Sequence, residues 1–400
     1  MKKSVAIIGS GPSSLMLAAI LDEKLFDVTL YEKNFAPARK FLVAGDGGFN
    51  LTHTEDIESF ISRYTPKEFL EKSLRAFTNI DLRNWLRELG IETFVGTSKR
   101  VFPIKGIKPI DVLRVILKEL QRKNVVIQSE HGWKGWNKKN ELVFDNQGKE
   151  FSVCADIIVF ALGGASWAKT GSDGSWKNLF EEKNINIVPF RASNCAYKIN
   201  WDKKFLSQWE GKSLKNISVS CGTQEQKGES VVTAFGVEGG AIYALSSQIR
   251  KLLFVEKTAK VFIDLKPSLA VDQIKTKLLK KSGGSLTQLL KDELNLSGLH
   301  IALIKTLSTK DEFIDIDSLS KKIKKLPLII LGAAPIDEAI STVGGVSLEE
   351  VDETFQLKKL PHHYAIGEML DWDAPTGGYL LQACFSMGNT LAKKLNSATH

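Results

Sequence analysis

The sequence predicts an α/β protein whose parallel-sheet domain is assembled from both ends of the chain, around a segment of different character. Three observations carry that prediction. A strand, a glycine turn, a helix and a second strand follow one another within the first forty residues. A further apolar strand at 156–160 runs into Gly163-Gly164, and another strand, ending in Gly367-Glu368, returns near the C-terminus. Between about 193 and 330 the texture changes, first to strand-like segments and then to a Lys- and Leu-rich helical stretch.

In chain order, Val5-Ala6-Ile7-Ile8 is a short continuous apolar run, the pattern of a strand buried on both faces of a parallel sheet. Gly9-Ser10-Gly11-Pro12-Ser13-Ser14 is a turn that opens a helix over about 15–25, and 28–31 is the next strand, ending at Glu32. That is a βαβ unit of ordinary size. Helical periodicity follows at 66–90 and 109–123, a strand at 125–128, and hairpin strands over 133–153 around Asp145-Asn146-Gln147-Gly148. Strand-like runs come next at 195–199, 217–221, 231–235 and 261–265, with a polar turn at 222–230. The helical stretch at 267–325 is broken by Ser282-Gly283-Gly284, and the chain closes with a helix from about Leu380. The expected division is 1–192 with 331–400 as one domain. Residues 193–265, with part of 326–335, form an inserted β-rich domain, and 266–325 a helical subdomain.

Four hundred residues exceed one compact core, and 43 % hydrophobic with 25 % charged residues is an ordinary soluble composition. Disorder, fibrous repeats and a membrane-spanning bundle are excluded. No apolar run approaches the ~18–20 residues of a transmembrane helix. Gly9 and Gly11 cut the run after Lys2-Lys3 before it becomes a signal peptide. Cysteines 154, 195, 221 and 384 form no CxxC and fit reduced thiols, so a cytoplasmic location is expected. The six histidines show no metal spacing; adjacent His362 and His363 are poorly placed to share an ion, and no metal is expected. A net charge of +8 favours a polyanion such as RNA or an anionic cofactor, and is also a common result of Lys-rich composition.

The N-terminal turn has the chemistry of a dinucleotide site. A pyrophosphate needs free amides and a positive dipole, both found at a helix N-terminus. Gly9 supplies the tight turn, Gly11 lets the backbone approach the phosphates, and Pro12 and Ser13 open the helix. Ser14 stands where Gly or Ala is usual. Glu32, at the end of the second strand, can accept both ribose hydroxyls and disfavours a phosphate there, which argues against NADP in this site. Lys33, Arg39 and Lys40 are candidates to reach the pyrophosphate or adenine side, with a solvated charge pair as the alternative for the last two.

The later segments decide between NAD and FAD. The 157–164 strand ends in Gly163-Gly164, and Tyr364-Ala365-Ile366-Gly367-Glu368 is followed by Thr376-Gly377-Gly378-Tyr379 and a helix. This arrangement resembles the C-terminal FAD motif of glutathione-reductase-type flavoproteins. The resemblance implies that Gly367 and Glu368 meet the pyrophosphate and ribityl chain. It also implies that Gly377, Gly378, Tyr379 and Leu380 bring helix amides to the flavin N1/C2 carbonyl, where reduction builds negative charge. No second GxGxxG follows a later strand, so NAD(P)H as electron donor would dock transiently.

Longer motifs extend the resemblance over the whole chain. They are the run from Pro37 through Lys40 and Gly45-Asp46-Gly47-Gly48-Phe49-Asn50 to His53, Arg100-Val101-Phe102-Pro103, Ala161-Leu162-Gly163-Gly164-Ala165-Ser166, Thr170-Gly171-Ser172-Asp173-Gly174, Thr233-Ala234-Phe235-Gly236-Val237-Glu238-Gly239 and Asp371-Trp372-Asp373-Ala374-Pro375. Together they resemble the BaiN/YhiN-like family of NAD(P)/FAD-dependent oxidoreductases. The resemblance implies a discontinuous FAD domain of Rossmann-like type, an inserted β-barrel-like domain and a small helical subdomain. By analogy it implies reduction of an activated C=C bond, in a steroid-type enone or in uridine of ribosomal RNA. Many members carry Gly-Gly-Gly-Arg-Cys-Asn; here the Arg and Cys are absent, which marks a divergent subgroup. The Gly47-Gly48 loop suits close approach to a flat ring, and Asn50 is a polar candidate for the isoalloxazine.

The expected function is therefore an FAD-dependent oxidoreductase that passes hydride from reduced flavin N5 to an activated C=C bond of a small-molecule or RNA substrate. The alternatives are an RNA-modifying flavoenzyme and a flavin-bound protein without turnover. Tyr379, His53 and Asp46 are candidates for the acid. Arg100 is a candidate for the substrate cleft or for a structural salt bridge. The lysines at 321–325 are a solvated helix end or an RNA contact. Trp167, Trp176, Trp201 and Trp372 read as packing, and Cys195 and Cys221 as core.

Overall fold

The computed structural model describes residues 1–43, 48–279 and 285–398. Asp46 and Gly47, and the helix break expected at Ser282-Gly283-Gly284, lie outside the described residues. The chain divides into two units, residues 1–191 with 341–400 and residues 192–340.

The first unit is organised by β1 (Lys3–Ile8), whose last four residues are buried as their unbroken apolar run requires. It lies at the centre of a five-stranded parallel sheet in the order His363–Ala365, Ile157–Phe160, β1, β2 (Phe26–Tyr31), Val126–Gln128. Ile8 is in register with Phe160 on one side and Tyr31 on the other, and Phe160 with Ala365. The segments after these strands, beginning at Gly9, Glu32, Ala161 and Ile366, therefore emerge at one edge. That carboxyl edge is where open α/β sheets bind ligands.

An antiparallel sheet of Gly132–Trp136, Leu142–Asn146 and Lys149–Val153 covers the Tyr31–Phe160 row: Phe144 stacks on Tyr31 at 4.3 Å and Trp133 packs on Phe160 at 4.8 Å between ring centres. Helix α1 (Pro12–Ile20) packs along the C-terminal helix Tyr379–Ser397. Gly388 makes this approach possible, because a Cβ there would stand 2.4 Å from the Ser13 carbonyl oxygen. The helix expected at 66–90 is two helices, Lys67–Ala76 and Asn79–Glu88. Thr78 stops the first and starts the second, its hydroxyl accepting from Asp81 N while the Asp81 carboxylate accepts from Thr78 N. Trp167 is 41 % exposed and so does not pack in the core as expected.

The second unit has its own apolar core and a six-stranded antiparallel sheet. Leu331 to Ala334, running on from the last strand (Leu326–Ile330), hydrogen-bond with Ala196 and Lys198 at the other end of the sheet order, which gives the sheet its barrel-like closure. Residues 331–340 thus sit in this unit, and the chain re-enters the first at Ser341. The polar turn expected at 222–230 is instead a nine-residue strand, Gln224–Val232, paired with Ser213–Cys221. Most of its first six residues face solvent, so no apolar alternation announces it; pairing with its neighbour decides its conformation. Among the described residues no helix is long and apolar enough to cross a membrane.

Three imidazoles, the buried His53 and His300 and the half-buried His363, are pushed below their ordinary value of 6.5 by desolvation. Between the folded and unfolded values the unfolded chain binds more protons, so the stability these groups contribute is present above about pH 6.5 and lost as pH falls. Thermal melts are expected to be flat from about pH 8 to 7 and to drop between about 6.5 and 5, before the carboxylates protonate. His300→Gln should reduce that drop; an unchanged profile would refute the assignment for His300.

Candidate cofactor and active site

A cleft of about 410 Å³ lies at the carboxyl edge of the parallel sheet, entirely within the first unit. Its floor is the start of α1. The first internal bond of that helix runs from Leu15 N to Gly11 O, so the Ser13 and Ser14 amides have no partner within the helix. No side chain caps it, and Pro12 occupies the first turn. Gly9 has φ +96°, and a Cβ on it would lie 2.4 Å from the Ala161 carbonyl oxygen, so the chain can cross from β1 into the turn only with glycine. At Gly11 a Cβ would meet nothing within 4 Å. It would enter the free space of the cleft, where a pyrophosphate fits.

Charged side chains line the walls. The Glu32 carboxylate, 7 % exposed, accepts from the Ser10 hydroxyl and from the Asn34 backbone and side-chain amides at 2.8 and 2.6 Å. Lys33 pairs with Asp173 at 2.7 Å. Burial works to raise the Asp173 carboxyl, yet Lys33 and the Ser175 donors hold it below its usual range. Lys40 donates to the Ser166 hydroxyl at 3.0 Å and to Glu368 at 3.1 Å. Arg39 is at the rim, 3.5 Å from the Asn34 side-chain oxygen. Gly163, Gly367 and Cys384 complete the lining used here. Burial pushes the Cys384 thiol up to about 12, so it stays protonated and is no nucleophile.

The fold thus brings Gly9, Gly11, Pro12, Ser13, Glu32, Lys33, Arg39, Lys40, Gly163, Gly367 and Glu368 to one cleft. Ser14 is buried inside α1, and Gly164 is held against the Thr342 hydroxyl; neither lines it. Gly48, Asn50, Gly377, Gly378, Tyr379 and Leu380 also lie away from the lining. Gly48 sits on the Phe102 ring, and Asn50 donates to the Gly48 carbonyl while its own buried oxygen is unpartnered. Gly378 is pressed onto the Thr52 backbone as the left-handed cap of the C-terminal helix. Cys384 and Tyr379 are five residues apart on that helix, about 7.5 Å of rise, which joins the inner cleft to the helix N-terminus.

At that N-terminus two of the three acid candidates come together. The His53 and Tyr379 rings stack at 5.3 Å and 22°. The Tyr379 hydroxyl donates to Glu55 at 2.8 Å, and Arg63 grips both Glu55 oxygens. Burial tends to raise the Glu55 carboxyl, but the bonds from Arg63 and Tyr379 bring it below its usual value. Burial, then the Glu55 charge, push the Tyr379 phenol far up. His53 is neutral, its Nδ1 accepting from Glu55 N at 3.2 Å, which leaves Nε2–H to donate to the Ser98 carbonyl at 3.1 Å. Both rings are therefore held in structural bonds, and the phenol keeps its proton. Sequence reasoning missed Glu55 and Arg63 because nothing local marks a carboxylate whose partner is 324 residues away.

The family model described as HI0933-like protein Rossmann domain matches residues 3–394. The chain is 25 % identical over 401 residues to a 3-dehydro-bile acid delta(4,6)-reductase of Clostridium scindens, covering 96 % of this chain and 97 % of that protein. It is also 25 % identical over 410 residues to a ribosomal RNA dihydrouridine synthase of Haemophilus influenzae, covering 98 % of each. Among solved structures, a 3-ketosteroid-delta4-(5alpha)-dehydrogenase from Rhodococcus jostii RHA1 shares the fold with a TM-score of 0.52 at 13 % identity, covering 100 % of this chain and 97 % of that one.

Proposed function

Because the chain belongs to the HI0933-like protein Rossmann-domain family, we propose that it is an FAD-dependent oxidoreductase that reduces an activated carbon–carbon double bond. The observation that carries this reading is the cleft itself: the Ser13 amide without a partner in its helix, open space at Gly11 and the Glu32 carboxylate share one groove. The Ser13 amide takes the pyrophosphate and Glu32 the adenosine ribose. Gly367, Glu368 and Lys40 line the ribityl path toward the N-terminus of the C-terminal helix, at Gly377 to Leu380. Bound FAD, once reduced, would supply the hydride for the double bond. A delta(4,6)-reductase and a dihydrouridine synthase among the relatives both support an acceptor whose C=C is conjugated to a carbonyl.

Glu32→Ala removes a charge-assisted acceptor worth about 1.5–3 kcal/mol, so FAD should bind roughly 10- to 150-fold more weakly by titration of the apoprotein. Unchanged affinity would place the ribose elsewhere. The unit 192–340 is read as an insertion not needed to hold the cofactor. Limited proteolysis within it should leave flavin on the remainder, and flavin released with the first cut would refute that division.

A small-molecule acceptor is the favoured substrate. RNA is the second reading, supported by the Haemophilus relative and the net charge of +8. The test is anaerobic bleaching of the purified protein with NADH or NADPH, then re-oxidation by cyclohex-2-enone or by uridine-containing RNA. Re-oxidation by the enone, insensitive to salt, is the expected result. Re-oxidation by RNA alone, falling steeply between about 50 and 200 mM salt, would favour the second reading. A protein re-oxidised by neither would not be the reductase proposed.

A further inference from the structure

Arg100 opens the strand Arg100–Pro103 and lies opposite His53 in the register of that strand with Thr52–His53. Its guanidinium packs over Gly377: a Cβ there would stand 3.1 Å from Nε and 3.6 Å from both Cζ and Nη2. Gly377 has φ +108°, so the turn before the C-terminal helix gives up a side chain where this cation rests. The neighbouring cation, Arg63, is taken by Glu55 through two hydrogen bonds. The Arg100 guanidinium has no carboxylate or other hydrogen-bond partner among the described residues, so of the two roles open to it from sequence the structural salt bridge is not made within them. Among the described residues the cluster therefore holds a partly exposed guanidinium with no paired carboxylate. It is fixed beside the N-terminus of a 19-residue helix, the positive end of that helix's dipole.

We propose that Arg100 is the oxyanion-binding residue of the substrate site, taking the oxygen conjugated to the double bond that is reduced. The proposal rests on the flavin reading above, which brings the reacting ring to this turn. Hydride added to the β carbon breaks the C=C π bond, and its electron pair moves through the α carbon onto the carbonyl oxygen. A proton from water, added at the α carbon, then restores the carbonyl. The acceptor gains two electrons and two hydrogens, and reduced flavin loses two electrons. Negative charge grows on the oxygen between these events, and a fixed guanidinium stabilises it more than it stabilises the neutral ground state. Its planar fork suits an enone oxygen and a pyrimidine imide oxygen equally. The ligand class is therefore a planar conjugated carbonyl that becomes an enolate.

The test uses two planar oxyanions that imitate the enolate, p-nitrophenolate for the carbocyclic source and barbiturate for the pyrimidine source. Neutral nitrobenzene is the control, and binding is followed by calorimetry on the purified holoprotein at a pH where both anions are ionised. The wild type is expected to bind at least one anion, the tighter of the two indicating the source. Arg100→Met should lose at least tenfold in that affinity with nitrobenzene binding and flavin content unchanged, and Arg100→Lys should lose less. Equal anion affinity in wild type and Arg100→Met, or no anion binding by a yellow wild type, overturns the proposal while the flavin reading stands. A wild type without flavin overturns both. If Arg100→Met does not fold or hold flavin, Arg100→Lys decides: it keeps the charge without the fork, and wild-type affinity there overturns the role.

Discussion

Gly11→Val is expected to give a folded, colourless protein. Gly11 has φ −73° and ψ −179°, a conformation open to valine, and a Cβ there meets no protein atom within 4 Å. The folded state therefore tolerates the change, at a cost near the roughly 1 kcal/mol of a poorer N-cap. The isopropyl group instead fills the space in front of the Ser13 amide. Overpacking costs about 1–3 kcal/mol even where neighbours can shift, so FAD should bind about 5- to 150-fold more weakly or be absent after purification. Near-unchanged circular dichroism and melting temperature together with lost flavin absorbance are the expected pair. A yellow Gly11→Val protein would mean that the pyrophosphate does not lie over this turn.

Gly388→Val is expected to act on the fold first. A Cβ at 388 would stand 2.4 Å from the Ser13 carbonyl oxygen and 3.0 Å from Leu17 N, both of them backbone that cannot rotate away. Accommodation requires α1 and the C-terminal helix to separate, although they bury Leu15, Leu17, Leu391 and Leu395 in one core. The loss should exceed the usual 1–3 kcal/mol of overpacking, giving a much lower melting temperature or insoluble protein. Wild-type stability would show that the two helices do not pack at this distance.

The contrast between these two glycines shows what the sequence reveals and what it hides. Gly11 is legible because its requirement is local: a strand before it, a helix after it and an acid at the end of the next strand form one short pattern. The burial of Val5 to Ile8 and of Ile157 to Phe160 is legible for the same reason, since an unbroken apolar run has few places to go. Gly388 lies in an ordinary helical pattern, and its need for a missing side chain comes from α1, far away in the chain. Glu55 with Tyr379, and Lys40 with Glu368, are likewise products of the tertiary fold. The strand Gln224–Val232 was hidden for another reason: its solvent-facing residues carry turn-like polarity, and only the ladder with Ser213–Cys221 makes it extended.

The central claim, that the cleft at the end of β1 and β2 holds FAD, is tested most directly by the flavin recovered from the purified protein. The visible spectrum is recorded, the protein denatured, and the released cofactor identified by chromatography and mass. A yellow protein releasing FAD close to one per chain is the predicted result. A colourless protein that takes up no added FAD, or one that releases only FMN or NAD, would contradict the account.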